Sequence, residues 1–292
     1  MKKLLLGNFG AKNLGDELIL NFALENYGAE DCIVATADSE FSQKFTEKNF
    51  RTIQSLPAGF RSFARFLFNK KYRHQFSVMK NQVDEIIFPG GGLFAIKTKA
   101  YLIWFINFLW AKYYFRKPIS LVHQGIDEPT NFLQKFILKF VFSRAVMVSV
   151  RDEQSISAIS EIKNIQLTED IVCQKLKSFN PPIQENKNLI LINARSFFTV
   201  PKTIGETLFI AFEESDLEFC PSNISSIFPK TKTELFETFS SAQTAIGERL
   251  HFLILGEYFC GSSETFTLKK PYSSKVDSFC KQKKICIFNE NN

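Results

Sequence analysis

The segment Gly247–His251 combines two side chains that often act together in chemistry. It reads Gly-Glu-Arg-Leu-His and places Arg249 and His251 two positions apart at the predicted start of a helix. Histidine is the usual general acid or base near neutral pH, and arginine holds phosphate or carboxylate groups with its planar set of N–H donors. A single histidine is often only packed in a core, but the neighbouring Glu248 and Arg249 favour a functional role for His251.

Two more arginines come directly after predicted strands. Arg151 stands in a Ser-Val-Arg-Asp stretch at 149–152, and Arg195 ends the Asn-Ala-Arg stretch at 193–195. In an open α/β sheet, residues just past the carboxyl ends of the strands line the crevice in which ligands bind. We therefore expect both arginines to bind an anion, whereas Asp152 is better placed to cap the helix that follows it.

Two loops contain glycines where backbone can approach a ligand closely. The loop at 7–17 leads into a helix, whose first N–H groups favour an anion. Its spacing fits neither G-x-G-x-x-G nor a P-loop, so neither a nicotinamide enzyme nor a P-loop NTPase is supported. The loop either binds an anion at the start of that helix or is a capped turn with Asp16 in the first turn of the helix. The three glycines at 90–92 cost chain entropy on folding, which indicates a packing or binding role.

Strands and helices that alternate along the chain would position these candidate site residues. Short apolar runs separated by segments of helical spacing are typical of parallel sheets with helices on both faces. The polar segment 177–188 predicts a boundary between domains 1–180 and 187–292. We therefore predict an α/β protein with two Rossmann-like domains facing a cleft, and a tail from Val276 that packs back. The predicted strands are 3–7, 32–35, 85–88, 119–122, 146–150, 189–193, 217–220 and 245–247, and the predicted helices include 14–23, 131–143, 204–212, 232–241 and 250–258.

Composition narrows the class of protein. The 292 residues, 45% hydrophobic and 23% charged, suffice for two ordinary globular domains. Six scattered cysteines without a C-x-x-C pair predict reduced thiols and no zinc site. The first apolar segment is too short for a signal peptide, and no apolar run reaches the roughly 18 residues of a membrane span, so we expect a cytoplasmic protein.

Basic and aromatic residues are interleaved between Arg61 and Lys80. The stretch holds six Arg or Lys residues and no acid, in a chain with a formal net charge of +6. This pattern is typical of a helix on an anionic bilayer or of an aromatic basic groove, although a solvated helix face has a similar composition. The 33 phenylalanines fit core packing, an exposed aromatic surface or a compositional bias.

Five segments together resemble the polysaccharide pyruvyl transferase family. In order they are G-x-x-x-x-x-N-x-G-D-E at 7–17, G-G-G at 90–92, S-x-R-D at 149–152, G-x-R-L-H at 247–251 and S-K-V-D-S-F at 274–279. The resemblance spans nearly the whole chain. Members of that family are similar to GT-B glycosyltransferases in architecture and transfer pyruvate from phosphoenolpyruvate to a sugar.

The resemblance implies a small donor with a phosphate and a carboxylate, and neither a metal nor another cofactor. Arginines and one lysine would bind the donor, His251 would protonate its methylene carbon, and the first loop would hold the sugar acceptor or be shaped for it. The expected site residues are Asn13, Asp16, Glu17, Gly91, Gly92, Arg151, Arg195, Glu248, Arg249, His251 and Lys275.

Two departures from the family pattern concern the acceptor. Asp127-Glu128 lie in a loop where the family usually has Gly-Pro, and Ile171 follows Asp170 where a proline is customary. The basic stretch 61–80 would suit a lipid-linked oligosaccharide at the inner face of a membrane, and no nucleic acid is expected as a partner. A GT-B glycosyltransferase that uses a nucleotide sugar and a non-catalytic carbohydrate-binding relative are the alternatives.

Overall fold

The computed structural model describes residues 1–94, 100–179, 188–198, 205–271 and 273–288, which group into two compact units. Unit 1 comprises Met1–Ala11, Ile19–Gln43 and Lys48–Ile171. Unit 2 comprises Lys12–Leu18, Lys44–Glu47 and the described chain from Val172 onward. The predicted domain boundary at 180–187 lies outside the described residues, and segment 12–18 groups with unit 2.

Unit 1 contains a seven-stranded parallel sheet within its described residues. Its strands are β1 (Lys3–Leu6), β2 (Cys32–Thr36), β3 (Arg51–Gln54), β4 (Glu85–Phe88), β5 (Ile119–Gln124), β6 (Met147–Val150) and β7 (Gln166–Leu167). The helices of this part of the chain are α1 (Leu14–Tyr27), α2 (Ser39–Thr46), α3 (Phe60–Phe68), α4 (Lys70–Gln82), α5 (Ala100–Leu109), α6 (Phe132–Phe142) and α7 (Glu153–Ala158), with short 3-10 and π-helical turns at Ala29–Asp31 and Trp110–Phe115.

Unit 2 contains a six-stranded parallel sheet within its described residues. Its helices are α8 (Ile171–Leu176), α9 (Lys232–Ser240), α10 (Leu250–Phe259) and α11 (Ser274–Lys283), with 3-10 turns at Glu214–Phe219 and Ser262–Glu264. The strands are β8 (Leu189–Ile192), β9 (Glu206–Ile210), β10 (Ser225–Ile227), β11 (Ala242–Gly247), β12 (Thr265–Thr267) and β13 (Cys286–Ile287).

Both sheets have the strand order of a Rossmann fold. The order is β3-β2-β1-β4-β5-β6-β7 in unit 1 and β10-β9-β8-β11-β12-β13 in unit 2. In each sheet the direction of winding reverses between the first strand and the fourth, and ligands of such sheets bind beyond the carboxyl ends of those two strands. The prediction of two Rossmann-like α/β domains is confirmed. The switch points lie at β1 and β4 in unit 1 and at β8 and β11 in unit 2.

Phenylalanine fills the cores of both units. Phe94 and Phe142 meet edge to face in unit 1 with ring centroids 5.4 Å apart, and both are buried. In unit 2, Phe239 contacts Phe252 at 5.3 Å between ring centroids, and both are buried as well. Aromatic pairs in such arrangements contribute about 0.5–1.5 kcal/mol beyond the area they bury. Core packing therefore accounts for much of the phenylalanine content.

Two predictions for unit 2 are wrong. The segment 204–212, predicted as a helix, contains strand β9, while residue 204 lies outside the described residues. Residues 209–210 at the end of β9 and residues 211–212 after it are all buried. This interior end of a parallel strand is covered on both faces, so the sequence there is a continuous apolar run rather than an alternation. The segment 217–220, predicted as a strand, belongs instead to the 3-10 turn Glu214–Phe219 and its end.

The most apolar helix of unit 1, α5, continues into the π-helical turn at Trp110–Phe115. The turn ends at Arg116, which has a left-handed backbone conformation with φ of 57°. No helix among the described residues is long and apolar enough to cross a bilayer.

Candidate active site

The loop after β11 carries Arg249 to the switch point of the unit 2 sheet, and α10 begins immediately after it. Asn193, fully buried just after β8, holds this loop in place. Its Oδ1 accepts a hydrogen bond from the backbone N–H of Arg249 at 3.2 Å, and its Nδ2 donates to the carbonyl of Ile210 at 3.0 Å. One amide side chain therefore joins the ends of β8 and β9 to the start of α10.

The guanidinium group of Arg249 lies between two carboxylates. Its Nη1 is 2.7 Å from Oε1 of Glu213, its Nε donates to Oδ2 of Asp216 at 3.2 Å, and its Nη2 donates to the other oxygen of Asp216. Burial disfavours the charged form of Arg249, but the hydrogen bonds and charges of Asp216 and then Glu213 outweigh that effect and raise its pKa. Arg249 is therefore a permanently charged and positioned group.

The two carboxylates differ in their surroundings. Asp216 is 1% exposed, and its Oδ2 accepts the backbone N–H groups of Phe212 and Glu213 at 3.1 and 3.0 Å. The side chain of Glu213 is 33% exposed and lies at the outer edge of the guanidinium group. Asp216 is thus built into the turn after β9, whereas Glu213 is open to solvent and can be replaced by a ligand at lower cost.

Segment 12–18 belongs to unit 2 and adds Asn13 to this cluster. The Nδ2 of Asn13 donates to Oε1 of Glu213 at 2.7 Å, the same oxygen that pairs with Arg249. The Oδ1 of Asn13 accepts the backbone N–H groups of Gly15 and Asp16 at 3.0 and 3.3 Å, so Asn13 caps α1. The capped-turn interpretation of the first loop therefore describes this geometry, and the cap also contacts the carboxylate beside Arg249.

His251 lies in the first turn of α10 with its ring against the backbone of Gly15. A Cβ atom placed on Gly15 would lie 2.1 Å from Nδ1 of His251, so only glycine fits here without moving the ring. Glu17, two residues further along α1, is fully buried, and Asp16 is half-buried. The structure thus brings His251 and Arg249 together with the Asn-x-Gly-Asp-Glu segment within a single unit.

Further polar side chains lie near the ends of β8 and β12. Glu248 accepts the backbone N–H of Arg195 at 2.6 Å through Oε2, which joins the loop after β8 to the loop after β11. Lys269, just past β12, donates from Nζ to Oγ of Ser196 at 2.8 Å. Arg195 and Lys269 are exposed, and Lys275 lies half-buried in the first turn of α11. The edge of this sheet therefore carries additional cations beside Arg249.

The glycines at 90–92 lie at the switch point of unit 1. Gly90 and Gly91 have φ of 136° and 92°, a backbone conformation that L side chains rarely adopt. The carbonyl of Gly91 accepts the N–H of Gly125 at 2.9 Å, and Gly91 forms an isolated bridge with Gln124. These two glycines therefore shape the loop after β4 and fasten it to the end of β5, while Gly92 follows at the half-buried end of the loop.

Arg151 follows β6 in unit 1 and is almost completely buried, with a side chain 5% exposed. Its Nη1 is 2.7 Å from Oδ2 of Asp170, and its guanidinium group lies over Gly125, where a Cβ atom would come within 2.4 Å of Nη2. Asp152 caps α7 by accepting the backbone N–H of Ser155 at 2.7 Å, which confirms the capping prediction. Arg151 therefore packs against the loop after β5 and holds the loop after β6 in place through its ion pair with Asp170.

The predicted site residues fall into two groups. Gly91, Gly92 and Arg151 lie in unit 1, whereas the others lie in unit 2. Sequence reasoning missed residues that hold or extend these groups. A cluster of acids directly after an apolar run was the available signal for Glu213 and Asp216, while nothing marked Lys269 before its strand was known. The missed residues are Asn193, Glu213, Asp216 and Lys269 in unit 2 and Gln124 and Asp170 in unit 1.

A family model for polysaccharide pyruvyl transferases matches residues 13–259. The chain belongs to this family. The match includes the glycines at 90–92 and the segments around Arg151 and Arg249, and the recognition made from the sequence motifs is confirmed. A comparison with curated proteins finds no matching relative of this pyruvyl transferase family member.

Solved structures similar to this family member share its fold at low sequence identity. HepE of Anabaena in complex with UDP-glucose has a TM-score of 0.56 at 12% identity, covering 97% of this chain and 90% of that one. MnaA of S. aureus in a co-structure with UDP has a TM-score of 0.55 at 15% identity, covering 92% and 80%. The UDP-GlcNAc 2-epimerase of Methanocaldococcus jannaschii has a TM-score of 0.55 at 12% identity, covering 100% and 90%. These likenesses show the GT-B-like fold of two Rossmann-like domains.

Proposed function

We propose that this protein transfers a pyruvyl group from phosphoenolpyruvate to a sugar of a cell-surface polysaccharide precursor and forms a ketal. The observation that carries the proposal is the convergence of His251, Arg249 and the segment from Asn13 to Glu17 at the switch point of the unit 2 sheet. Family membership supports a transferase that modifies a polysaccharide. The donor and the ketal are the parts that the proposal adds.

The proposed reaction begins with protonation of the donor methylene carbon by His251. The adjacent carbon then becomes electrophilic, one sugar hydroxyl adds to it, and a second hydroxyl of the same sugar displaces inorganic phosphate. Of the two protons that the hydroxyls lose, one returns to His251 and replaces the proton given to carbon, and the other leaves on phosphate. No metal is assigned to any step.

The donor is multiply anionic, so its site requires several cations. We assign Arg249 to the donor together with the exposed Arg195 and with Lys275, and we add Lys269, which lies beside the Arg195 loop. Glu213 covers one edge of the Arg249 guanidinium group and must give way for a donor carboxylate or phosphate to bind there. Asp216 keeps the guanidinium group in place during that exchange, and Glu248 positions the backbone of Arg195.

The acceptor side of the proposal rests on the first loop. Asn13 and Asp16 would contact or orient the sugar hydroxyls, with buried Glu17 fixing the start of α1. Within unit 1, Gly91 and Gly92 would let a ligand approach the backbone of the loop after β4. Arg151, predicted to bind an anion, is almost completely buried and paired with Asp170, so we assign it a positioning role at the loops after β5 and β6. The sugar would belong to a free or a lipid-linked oligosaccharide. We place the lipid-linked form at the inner face of the membrane.

Phosphate release from phosphoenolpyruvate, measured against a panel of free and lipid-linked oligosaccharides, tests the proposal. Removal of a positioned general acid lowers turnover by about 10²–10⁴-fold, which is the loss expected for His251→Ala. The matched control is His74→Ala, which changes an exposed histidine on α4 and should leave turnover unchanged. Unchanged turnover of His251→Ala would contradict the assigned mechanism.

A nucleotide-sugar glycosyltransferase is the competing function, because similar structures hold UDP or UDP-glucose. A thermal-shift comparison separates the two. We expect phosphoenolpyruvate to stabilise the protein, since a ligand that binds only the folded state raises its stability. Stabilisation by UDP-sugars and none by phosphoenolpyruvate would favour the glycosyltransferase. Stabilisation by free oligosaccharide alone, without phosphate release, would favour a non-catalytic carbohydrate-binding relative.

A further inference from the structure

Helix α3 exposes large apolar side chains to solvent. None of the nine residues of this helix is buried. Phe60 is 90% exposed, Phe68 is 85% exposed and Leu67 is 59% exposed. Side chains of this size are normally removed from water, so three of them exposed on one short helix indicate a surface that a partner covers.

The other side of α3 is firmly attached to unit 1. Phe66 packs against Trp110, Phe76 and Tyr114, with ring centroids 4.8, 5.9 and 6.1 Å apart. Phe60 and Leu67 are seven residues apart, which corresponds to two helical turns, and therefore lie on one side of α3. The helix is thus fixed in place with Phe60 and Leu67 directed away from the core.

The exposed apolar surface continues from α3 onto α5 and the π-helical turn. A shallow groove there is lined by Phe63, Ile106, Leu109, Trp110, Tyr113 and Tyr114. Leu102 on α5 and Tyr113 in the π-helical turn are both exposed. We call the exposed parts of α3, α5 and this turn the aromatic surface.

The chain around the aromatic surface carries cations and no acids. The sequence has no Asp or Glu from Lys48 to Val83 or from Ile86 to Ile126. Five exposed cations lie on or beside α3. These side chains therefore place an excess of positive charge beside the aromatic surface. These cations are Arg61, Arg65, Lys70, Lys71 and Arg73.

The basic aromatic stretch 61–80 lies on two helices, α3 and α4, with a break at Asn69. The Oδ1 of Asn69 accepts the backbone N–H of Tyr72 at 2.9 Å and caps α4. Helix α4 buries Tyr72, Phe76 and Met79, whereas α3 buries none of its residues. The break separates a helix that buries three of its side chains from one that is attached through Phe66 and exposes most of its other side chains.

We infer that the aromatic surface docks onto an anionic lipid bilayer, with α3 lying in the plane of the headgroups. A bilayer matches both features, because its acyl region accepts Phe60 and Phe68 while its headgroups pair with the arginine and lysine side chains. Long basic side chains can extend from such a helix to the charged headgroups while their methylene groups stay in apolar contact. The inference uses only this surface and stands independently of the donor chemistry.

Co-flotation with vesicles tests the inference on the full chain. We expect binding to vesicles of phosphatidylcholine with phosphatidylglycerol, little binding to phosphatidylcholine alone, and weaker binding at high salt. The variant Arg61→Gln/Lys70→Gln/Lys71→Gln should bind about a hundred-fold more weakly, since each basic residue near an anionic surface contributes about fivefold. Its matched control is Lys135→Gln/Lys139→Gln, because Glu161 already pairs with both of these lysines.

A second pair of variants tests how much the apolar side chains contribute to vesicle binding. Phe60→Ser/Phe68→Ser should lose binding, whereas Val146→Ser, at a position 69% exposed outside the aromatic surface, should keep it. Equal binding to neutral and anionic vesicles, or no binding to either, would overturn the inference. So would sedimentation that shows a dimer dissociated by Phe60→Ser/Phe68→Ser, because the surface would then join two copies of this chain.

Activity on a soluble acceptor fragment separates this inference from the proposed function. Phe60→Ser/Phe68→Ser should release phosphate from phosphoenolpyruvate at the wild-type rate with the fragment while losing vesicle binding. His251→Ala should show the opposite behaviour, with vesicle binding intact and phosphate release lost. If vesicle binding fails in the wild-type protein while phosphate release succeeds, only the inference is overturned.

Discussion

Arg249 is held by one buried carboxylate and one that solvent can reach. Both carboxylate oxygens of Asp216 accept hydrogen bonds from the guanidinium group, and its Oδ2 also accepts two backbone N–H groups of the turn after β9. A single oxygen of Glu213 accepts hydrogen bonds from both Arg249 and Asn13. We therefore assign different roles to the two acids. Asp216 maintains the local structure, and Glu213 occupies the position in which an anionic donor would bind.

Replacement of Glu213 should strengthen binding of the proposed donor. Glu213→Gln keeps an oxygen for Asn13 and Arg249 but removes a negative charge beside the proposed donor. We expect the KM for phosphoenolpyruvate to fall about fivefold, as the loss of about 1 kcal/mol of charge repulsion would produce. Steady-state phosphate release measures it. A raised KM would show instead that Glu213 itself contacts the substrates.

Replacement of Asp216 should destabilise the fold. Asp216→Ala leaves the largely buried guanidinium group of Arg249 without its main partner, and breaking a buried ion pair costs about 3–5 kcal/mol. Urea denaturation gives the change in the free energy of unfolding. The control is Glu161→Ala, which removes an exposed pair with Lys135 and Lys139 and should cause little change. Equal effects of the two substitutions would contradict the assignment.

Two thiols should make stability depend on alkaline pH. Burial raises the pKa of Cys32 and of Cys280 from 9.0 to about 11 in each case. The folded state therefore binds these protons more tightly than the unfolded state does, so this contribution is complete below about pH 9 and decreases as pH rises toward 11. Urea denaturation across this range should show a smaller decrease for Cys32→Ala/Cys280→Ala. Cys286→Ala, at an exposed thiol, should retain the wild-type slope.

At the level of elements, long apolar segments were predictable and short polar ones were not. Strands such as β1 and β4 are continuous apolar runs, and helices such as α9 and α10 have helical spacing, so the sequence identifies them. β13 has two exposed residues and is a strand only because β12 supplies hydrogen bonds. The helix wrongly predicted at 204–212 shows the same limit, because a short buried run fits a strand or a helix equally well.

The packing of Phe66, which attaches α3 to unit 1, can be tested by substitution. Phe66→Ala removes the ring that packs against Trp110, Phe76 and Tyr114, and we expect a loss of about 2–3 kcal/mol in the free energy of unfolding. Phe68→Ala, in the same helix but 85% exposed, should leave that free energy nearly unchanged. Chemical denaturation of both variants checks this difference. A larger loss for Phe68→Ala would contradict the assignment of the inner and outer sides of α3.

For the whole molecule, the architecture and the family could be recognised because motifs recur at the carboxyl ends of the strands. Arg151, Arg249 and the glycines at 90–92 follow strands β6, β11 and β4, as their positions in the sequence indicate. The acids that hold these arginines could not be paired with them in advance. Asp216 and Arg249, for example, come together only because β9 and β11 are neighbours of β8 in one sheet.

The parallel pairing of β1 with β4 has a consequence for synthesis in the cell. Lys3 pairs with Glu85, so β1 emerges from the ribosome and waits for about eighty further residues before its neighbour exists. At about 5–20 residues per second, that interval lasts roughly 4–16 s. Throughout it the leucines of β1 have no strand beside them on that edge, and we expect nascent chains stalled before β4 to be captured by chaperones. Chains released after β6 should escape such capture.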